Sequence, residues 1–261
     1  MKYLHKNDEA TRNLSRISQI SWCCPSEKFK LKSDEVHIWI TSLDRSDNDV
    51  KNMFLLLSED ECLRAKGYRF DRDRRRFILR HGVLRMILAG YLDIDPKQVS
   101  FCLNSYGKPF VERRSGHATL FFNLSKSNEV AVYAFSFNRR VGIDVEFVRP
   151  IPDADNIVGR FFSASEFMEF CTLPSEKRQK AFFDMWTCKE AFVKALGHGL
   201  LCHLNQFHVL QSHKKAAKLL GVDWNSKEAA HWSLDTFVPV PGYTAAVVAE
   251  DKKWELRYWQ C

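Results

Sequence analysis

Two short runs in this chain carry side chains that could do chemistry together. Val141-Gly142-Ile143-Asp144-Val145-Glu146 sets two carboxylates two residues apart, and Trp186-Thr187-Cys188-Lys189-Glu190-Ala191-Phe192-Val193-Lys194 adds a third carboxylate and an ammonium. Gathered by folding, three carboxylates and a lysine would suit one hard divalent ion and a diphosphate. In a strand Asp144 and Glu146 face one way while Ile143, Val145 and Phe147 face the other. Taken alone, that pattern is most simply the wet face of an amphipathic strand. The second run shifts the balance. Glu190 and Lys194 are four residues apart, on one face of a helix, and Phe182, Phe183, Met185, Trp186, Phe192, Val193 and Leu196 surround them. A helix so apolar is expected to be largely buried. Stripping water from a buried ion costs several kcal/mol, on the order of what only strong partners return. A metal ion for Glu190 and phosphate oxygens for Lys194 would be such partners. Magnesium is the best match, because it takes oxygen ligands from a few carboxylates together with substrate phosphates. Zinc, which favours histidine and cysteine, matches less well.

The elements that must position these groups can be read in outline. Val36–Thr41 alternates and is rich in β-branched and aromatic residues, so it reads as a strand. Ser58-Glu59-Asp60-Glu61 has the spacing of a capping box and predicts a helix start. Phe77, Leu84, Leu88 and Tyr91 recur at helical spacing over 75–92. Short strands are predicted at 99–103 and 109–111, flanking the turn Ser105-Tyr106-Gly107-Lys108. Further strands are expected at 120–124, 130–137 and 141–148. Ser163-Ala164-Ser165-Glu166 is a second capping box, and a long helix over 178–196 has Gly197 as its stop. The tail returns to strands at 207–210, 232–238 and 243–248. The fold class this implies is α+β, with two similar subdomains, each an antiparallel sheet packed with helices, meeting near 135–143. We take 1–138 as the N-terminal subdomain and 139–261 as the C-terminal one.

Length and composition set bounds. The chain has 261 residues, enough for a large core, with 45% hydrophobic and 27% charged residues. Its first residues form no apolar leader, and no stretch reaches the roughly 20 apolar residues of a membrane span. A cytoplasmic protein is expected. Eight cysteines without a C-x-x-C pair are expected to be free thiols; Cys202-His203 with His208 is the nearest approach to a ligand cluster. The net charge of +7 calls for an anionic partner without naming it. Nine basic residues fall between Arg64 and Arg85. They could bind nucleic acid, although aromatic residues do not interleave with them as a stacking platform requires.

Both runs, taken with three further stretches, resemble a known family. Gly142-Ile143-Asp144-Val145-Glu146 and Trp186-x-x-Lys189-Glu190-Ala191-Phe192-x-Lys194 are similar to the signature of the 4'-phosphopantetheinyl transferases of the surfactin-synthetase-activating type. Tyr106-Gly107-Lys108-Pro109, Phe122-Asn123-Leu124-Ser125 and Arg160-Phe161-Phe162-Ser163-x-x-Glu166 match in the same order. The resemblance runs from about Val36 to Val248.

It implies transfer of phosphopantetheine from coenzyme A to a serine of an apo acyl or peptidyl carrier protein, with Mg²⁺, releasing 3',5'-ADP. By matching positions, Asp144, Glu146 and Glu190 would hold the metal, Glu190 would help deprotonate the serine, and Lys194 would neutralise the diphosphate. Gly107, Lys108 and Pro109 would meet the adenine end. Arg76, and Lys66 as a second candidate, would reach the 3'-phosphate together with Ser125 and Lys126. Lys126 stands where relatives usually carry histidine. The segment 147–162 would dock the carrier. A monomer is implied, with both halves in one chain and neither nucleic acid nor membrane as a partner. Two other readings compete: a non-catalytic carrier-protein adaptor, and a nucleic-acid-binding protein using the basic segment 64–85.

Overall fold

The computed structural model describes residues 20–24, 29–111, 119–197, 204–212, 215–223, 225, 227–251 and 253–261. In the first half, strand β1 (Glu35–Ser42) leads to helices α1 (Asp47–Phe54), α2 (Glu59–Lys66) and α3 (Asp71–Leu92). Strands β2 (Phe101–Leu103), β3 (Pro109–Val111), β4 (Leu120–Ser127) and β5 (Val130–Phe137) follow. The second half begins at β6 (Val141–Phe147), continues through α4 (Ala154–Phe161), α5 (Ala164–Thr172) and α6 (Ser175–Leu196), and returns to strands β7 (Phe207–Ser212), β8 (Lys215–Val222), β9 (Trp232–Phe237), β10 (Tyr243–Glu250) and β11 (Glu255–Gln260).

The architecture is α+β, arranged as helix, sheet, sheet, helix. One sheet has the order β11-β1-β5-β4 and the other β6-β10-β9. Their inner faces share one core in which Val36, Ile38, Ile40 and Val132 meet Ile143, Val145, Ala245 and Val247. On its outer face the first sheet packs Trp39, Tyr133 and Phe135 against Phe77, Val83 and Leu84 of α3. The second sheet, through Ala246 and Val248, packs against Ala191, Phe192 and Ala195 of α6. The two outer helices are each 22 residues long, so the halves answer one another. Because both faces of β1, β5 and β10 are covered, these strands are buried almost throughout, Glu35, His37 and Thr41 of β1 included. Each fully buried large apolar side chain contributes about 1.5–3 kcal/mol, so this shared interface binds the halves into one unit.

Several local expectations hold. Ser58 and Ser163 each accept from the backbone N–H three residues on, and Glu61 and Glu166 answer as full capping boxes. Gly197 ends α6 in the left-handed region at φ 75°, its N–H closing on Val193 O. Other elements differ from the sequence reading. The helix expected over 75–92 begins at Asp71 and the one expected over 178–196 begins at Ser175. Residues 154–161 are helical. Strand β11 joins the first sheet as a parallel neighbour of β1, with Trp39 opposite Trp259, so an element from beyond residue 139 crosses to the N-terminal half. The described cysteines are free. Cys202 and His203 lie outside the described residues, and His208 faces Asp223 at 3.4 Å. Among the described residues no helix is long and apolar enough to cross a membrane.

Candidate active site

Helix α6 lies against β6 more closely than side chains usually permit, and Gly142 is the reason. A Cβ at that position would fall 2.1 Å from Ala191 O and 2.4 Å from Ala195 N. A bare backbone there lets the helix settle onto the strand. The same alternation that turns Gly142 to the helix turns Asp144 and Glu146 to that side, with Ile143 and Val145 in the core between the sheets. Along α6, Trp186, Glu190 and Lys194 are half-buried while nearly all the residues between them are buried. They recur every four residues on one face; Trp186 packs on Phe162 and Phe182, and Glu190 and Lys194, with Val193, are where the helix meets the open cleft.

The acids are brought into one electrostatic neighbourhood and supported differently. Asp144 is 4% exposed. Its Oδ1 accepts from Lys194 Nζ at 2.6 Å and from Ser125 Oγ at 2.7 Å, whereas its buried Oδ2 has no partner. Glu146 Oε2 accepts from Ser127 Oγ at 2.7 Å and lies 3.6 Å from Arg149. Glu190 has no side-chain hydrogen bond among the described residues. Burial pushes the Asp144 carboxyl above its ordinary value, and the Lys194 ammonium and Ser125 hydroxyl pull back only in part. Burial also raises Glu146, with Asp144 adding to it. Burial and the nearby Asp144 and Glu146 charges raise Glu190. Three crowded carboxylates of this kind lack positive charge.

Beside them opens a cleft of about 620 Å³ whose walls include Gly107, Lys108, Pro109, Asn123, Glu190 and Lys194. The turn over 104–109 closes one end. Gly107 adopts φ 82° with free space where a Cβ would lie, leaving its backbone open to a ligand. Lys108 is committed elsewhere. Its Nζ donates to Lys194 O at 2.5 Å and Val141 O at 3.2 Å, while Asn104 Nδ2 donates to Gly197 O at 3.1 Å. The contacts to Lys194 O and Gly197 O satisfy carbonyls at the C-terminal end of α6, where a cation is favoured, and the one to Val141 O ties that end to β6. Burial lowers Lys108 to about 8, and the Arg140 and Lys194 charges add to the effect.

The sequence-nominated residues therefore fall into three groups. Glu190, Lys194, Gly107, Lys108 and Pro109 share the cleft, and Asp144, Glu146 and Ser125 stand directly behind it. Arg76, Lys66 and Lys126 are not among its lining residues. Arg76 sits on α3, 3.5 Å from Glu129 at the β4–β5 turn. Lys66 is exposed at the end of α2. Lys126 is exposed too, and strand alternation turns it away from Ser125 and Ser127. Much of the basic segment is matched by acids. Arg74 pairs with Asp71 and Arg75 with Asp47, and Arg85 is buried against Glu61 at 2.5 Å.

Two contributors escaped sequence reasoning. Ser127 was not singled out, although its place two residues after Ser125 on a strand was a signal. Lys189, inside the second run, is fully buried. Its Nζ lies 2.8 Å from Glu166 and donates to Leu204 O and Phe207 O at 2.7 and 2.8 Å.

Chemically, the site offers hard oxygen donors of excess negative charge next to an ammonium and a cleft of ligand size. Among the described residues no three His, Cys, Asp or Glu groups converge on one point as a ready metal site. The orphaned Asp144 Oδ2 and the free Glu190 carboxylate are nevertheless the unsatisfied groups that a hard cation would complete.

Comparison with known proteins bears on the same residues. Residues 140–248 match the 4'-phosphopantetheinyl transferase superfamily and residues 41–138 match the 4'-phosphopantetheinyl transferase N-terminal family. The chain is 38% identical over 241 residues to the 4'-phosphopantetheinyl transferase HetI of Nostoc sp., covering 92% of this chain and 98% of that protein. It is 25% identical over 205 residues to the 4'-phosphopantetheinyl transferase Sfp of Bacillus subtilis, covering 78% and 87%. Among solved structures, the holo-[acyl-carrier-protein] synthase of Thermotoga maritima overlaps 43% of this chain and 62% of its own, with 27% identity and a TM-score of 0.34; that likeness is too slight to bear on the site. With a full-length relative at this identity and both halves matched, the chain belongs to the 4'-phosphopantetheinyl transferase superfamily.

Proposed function

We propose that this protein transfers the 4'-phosphopantetheine group of coenzyme A to a serine hydroxyl of an apo acyl or peptidyl carrier protein, releasing 3',5'-ADP. The observation that carries this reading is the cleft that joins Gly107–Pro109 to Glu190 and Lys194, backed by the orphaned oxygen of Asp144. In the transfer the serine oxygen forms a bond to the phosphorus that bears pantetheine. The bond from that phosphorus to the bridging oxygen breaks, and its electron pair leaves with the nucleotide. The serine proton passes to Glu190, directly or through one water. A carboxylate raised above its ordinary value is a stronger base, and a positioned base contributes about 10²–10⁴-fold. Lys194, with two of its three donors on Asp144 and Ser125, keeps one for the diphosphate.

Asp144, Glu146 and Glu190 would hold Mg²⁺; when bound, it supplies charge neutralisation at the diphosphate. The turn at Gly107 suits the adenine end; Arg76, Lys66 and Lys126 lie outside the cleft lining, and their assignment to the 3'-phosphate rests on the family resemblance. Ser125 acts through Asp144 and Lys194, and Lys108 through the end of α6. The carrier would dock over α4 and α5, where Phe161, Phe167 and Met168 are exposed beside Arg160. We read the chain as a cytoplasmic monomer divided near 138/139, with β11 returning to the first half.

The test is mass spectrometry of a panel of apo carrier proteins incubated with coenzyme A and Mg²⁺. The expected result is a mass gain of one phosphopantetheine that needs both additions. Carrier binding without mass change would identify an adaptor instead. Steeply salt-dependent nucleic-acid binding, indifferent to coenzyme A, would favour the basic segment.

A further inference from the structure

Among the described residues strand β6 is an edge strand, hydrogen-bonded to β10 on one side only. Unpaired edges expose backbone donors that need partners. Here the partners come from side chains of β4, in the other half of the molecule. Asn123 Oδ1 accepts from Ile143 N at 2.9 Å, and Ser127 Oγ accepts from Phe147 N at 3.0 Å. Asn123, Ser125 and Ser127 alternate along β4, so all three face β6. They act as a surrogate strand whose rungs are side chains.

That arrangement fixes where the Ser127 proton goes. A hydroxyl has one hydrogen to give. Since the oxygen already accepts from Phe147 N–H, its hydrogen is directed at Glu146 Oε2, 2.7 Å away. Ser127 is 8% exposed, so water does not readily replace it. The contact favours the ionised carboxylate against burial and the neighbouring Asp144 charge.

Resting on the reading of Glu146 as a metal-holding group, we propose that Ser127 is a positioning residue for the transfer site: from the N-terminal half it holds and orients the Glu146 carboxylate of the C-terminal half. Partners of ligating carboxylates typically change metal affinity about 10–100-fold when removed.

The measurement is Mn²⁺ binding to the coenzyme A-loaded protein, followed by electron paramagnetic resonance, in wild type, Ser127→Ala, Ser127→Thr, Glu146→Gln and Ser127→Ala/Glu146→Gln, with thermal unfolding alongside. Ser127→Ala should weaken Mn²⁺ about tenfold or more, and Ser127→Thr, which keeps the hydroxyl, should recover most of it. In the Glu146→Gln background Ser127→Ala should cost nothing further, because coupled residues are not additive. An equal loss in both backgrounds would mean a general structural role and overturn the proposal, as would undiminished Mn²⁺ affinity in Ser127→Ala. If Glu146→Gln alone binds Mn²⁺ like wild type, the assignment of Glu146 fails first and takes this proposal with it. Turnover of apo carrier by the wild type would then still stand, which separates the two failures.

Discussion

Lys189 and Lys194, five residues apart on helix α6, enter carboxylate pairs that are built to opposite ends. Lys189 is wholly buried; its ammonium meets Glu166 and two backbone carbonyls. Glu166 is equally occupied, taking the Ser163 N–H and hydroxyl on Oε2 and Val209 N–H on Oε1. The second pair, Lys194 with Asp144, opens onto the cleft. Lys194 is 28% exposed, and one oxygen of its partner is buried without a hydrogen bond. A buried ion pair with every lone pair and proton matched ties elements together, whereas one with an open valence is ready to bind. Saturation and access to the cleft separate scaffold from site here, since both pairs join a lysine of α6 to a buried carboxylate.

Four substitutions can break or refine that contrast, ranked by their expected effect on folding. Lys189→Ala should cost about 3–5 kcal/mol in chemical denaturation, because it strands the Glu166 charge in the core. A loss under about 1 kcal/mol would show that the closed pair is not scaffold. Gly142→Ala should follow at about 1–3 kcal/mol, since α6 must retreat from β6 to admit the methyl group. Its activity should fall with its stability, as Glu190 moves relative to Asp144. Lys194→Ala should cost only about 1–2 kcal/mol, because Lys194 is 28% exposed and water from the cleft can take the ammonium's place beside Asp144. Its transfer rate should nonetheless drop about 10²–10³-fold, which a kinetic assay on folded protein would read.

Glu190→Gln reverses the sign. Burial and two acidic neighbours raise Glu190 in the folded protein, so between its ordinary value of 4.5 and the raised one the fold binds a proton the unfolded chain releases. Metal-free stability must then fall as pH rises through that window. Melting temperature without divalent ions should climb as pH is lowered from neutral toward the ordinary value of 4.5, and the climb should be shallower in the variant. At neutral pH Glu190→Gln should gain about 1 kcal/mol while turnover falls, the usual exchange of activity for stability at a strained site. A variant less stable than wild type at neutral pH would refute the crowding of the three acids.

Local signals were read well from the residues alone. Both capping boxes and the Gly197 stop depend on atoms within one helical turn, so spacing suffices to find them. The two 22-residue helices were recognised, each short by a turn at its polar start, where apolar periodicity is silent. Strand β11 was missed because Glu255–Gln260 pairs with β1 from the far end of the chain. Within the site, Asp144, Glu146, Glu190 and Lys194 were legible as two runs. Lys108 was read as a ligand-facing charge, but it caps the end of α6; nothing in Tyr-Gly-Lys-Pro separates those uses. Lys189 lay inside the second run without a distinguishing mark, because its partner Glu166 sits on another helix.

Spacing and residue type were enough to name the family resemblance, the α+β class and the four groups at the chemical centre, since those depend on side-chain chemistry and short-range geometry. What folding alone decided is how each group is satisfied. Ser127 reaches Glu146 across the two halves, Gly142 admits the helix, and Glu166 closes on Lys189 while Asp144 keeps an oxygen free. Those outcomes depend on which residues meet across the sheets and in what dielectric surroundings. Desolvation and hydrogen-bond satisfaction are properties of the assembled neighbourhood, and no run of adjacent residues encodes them.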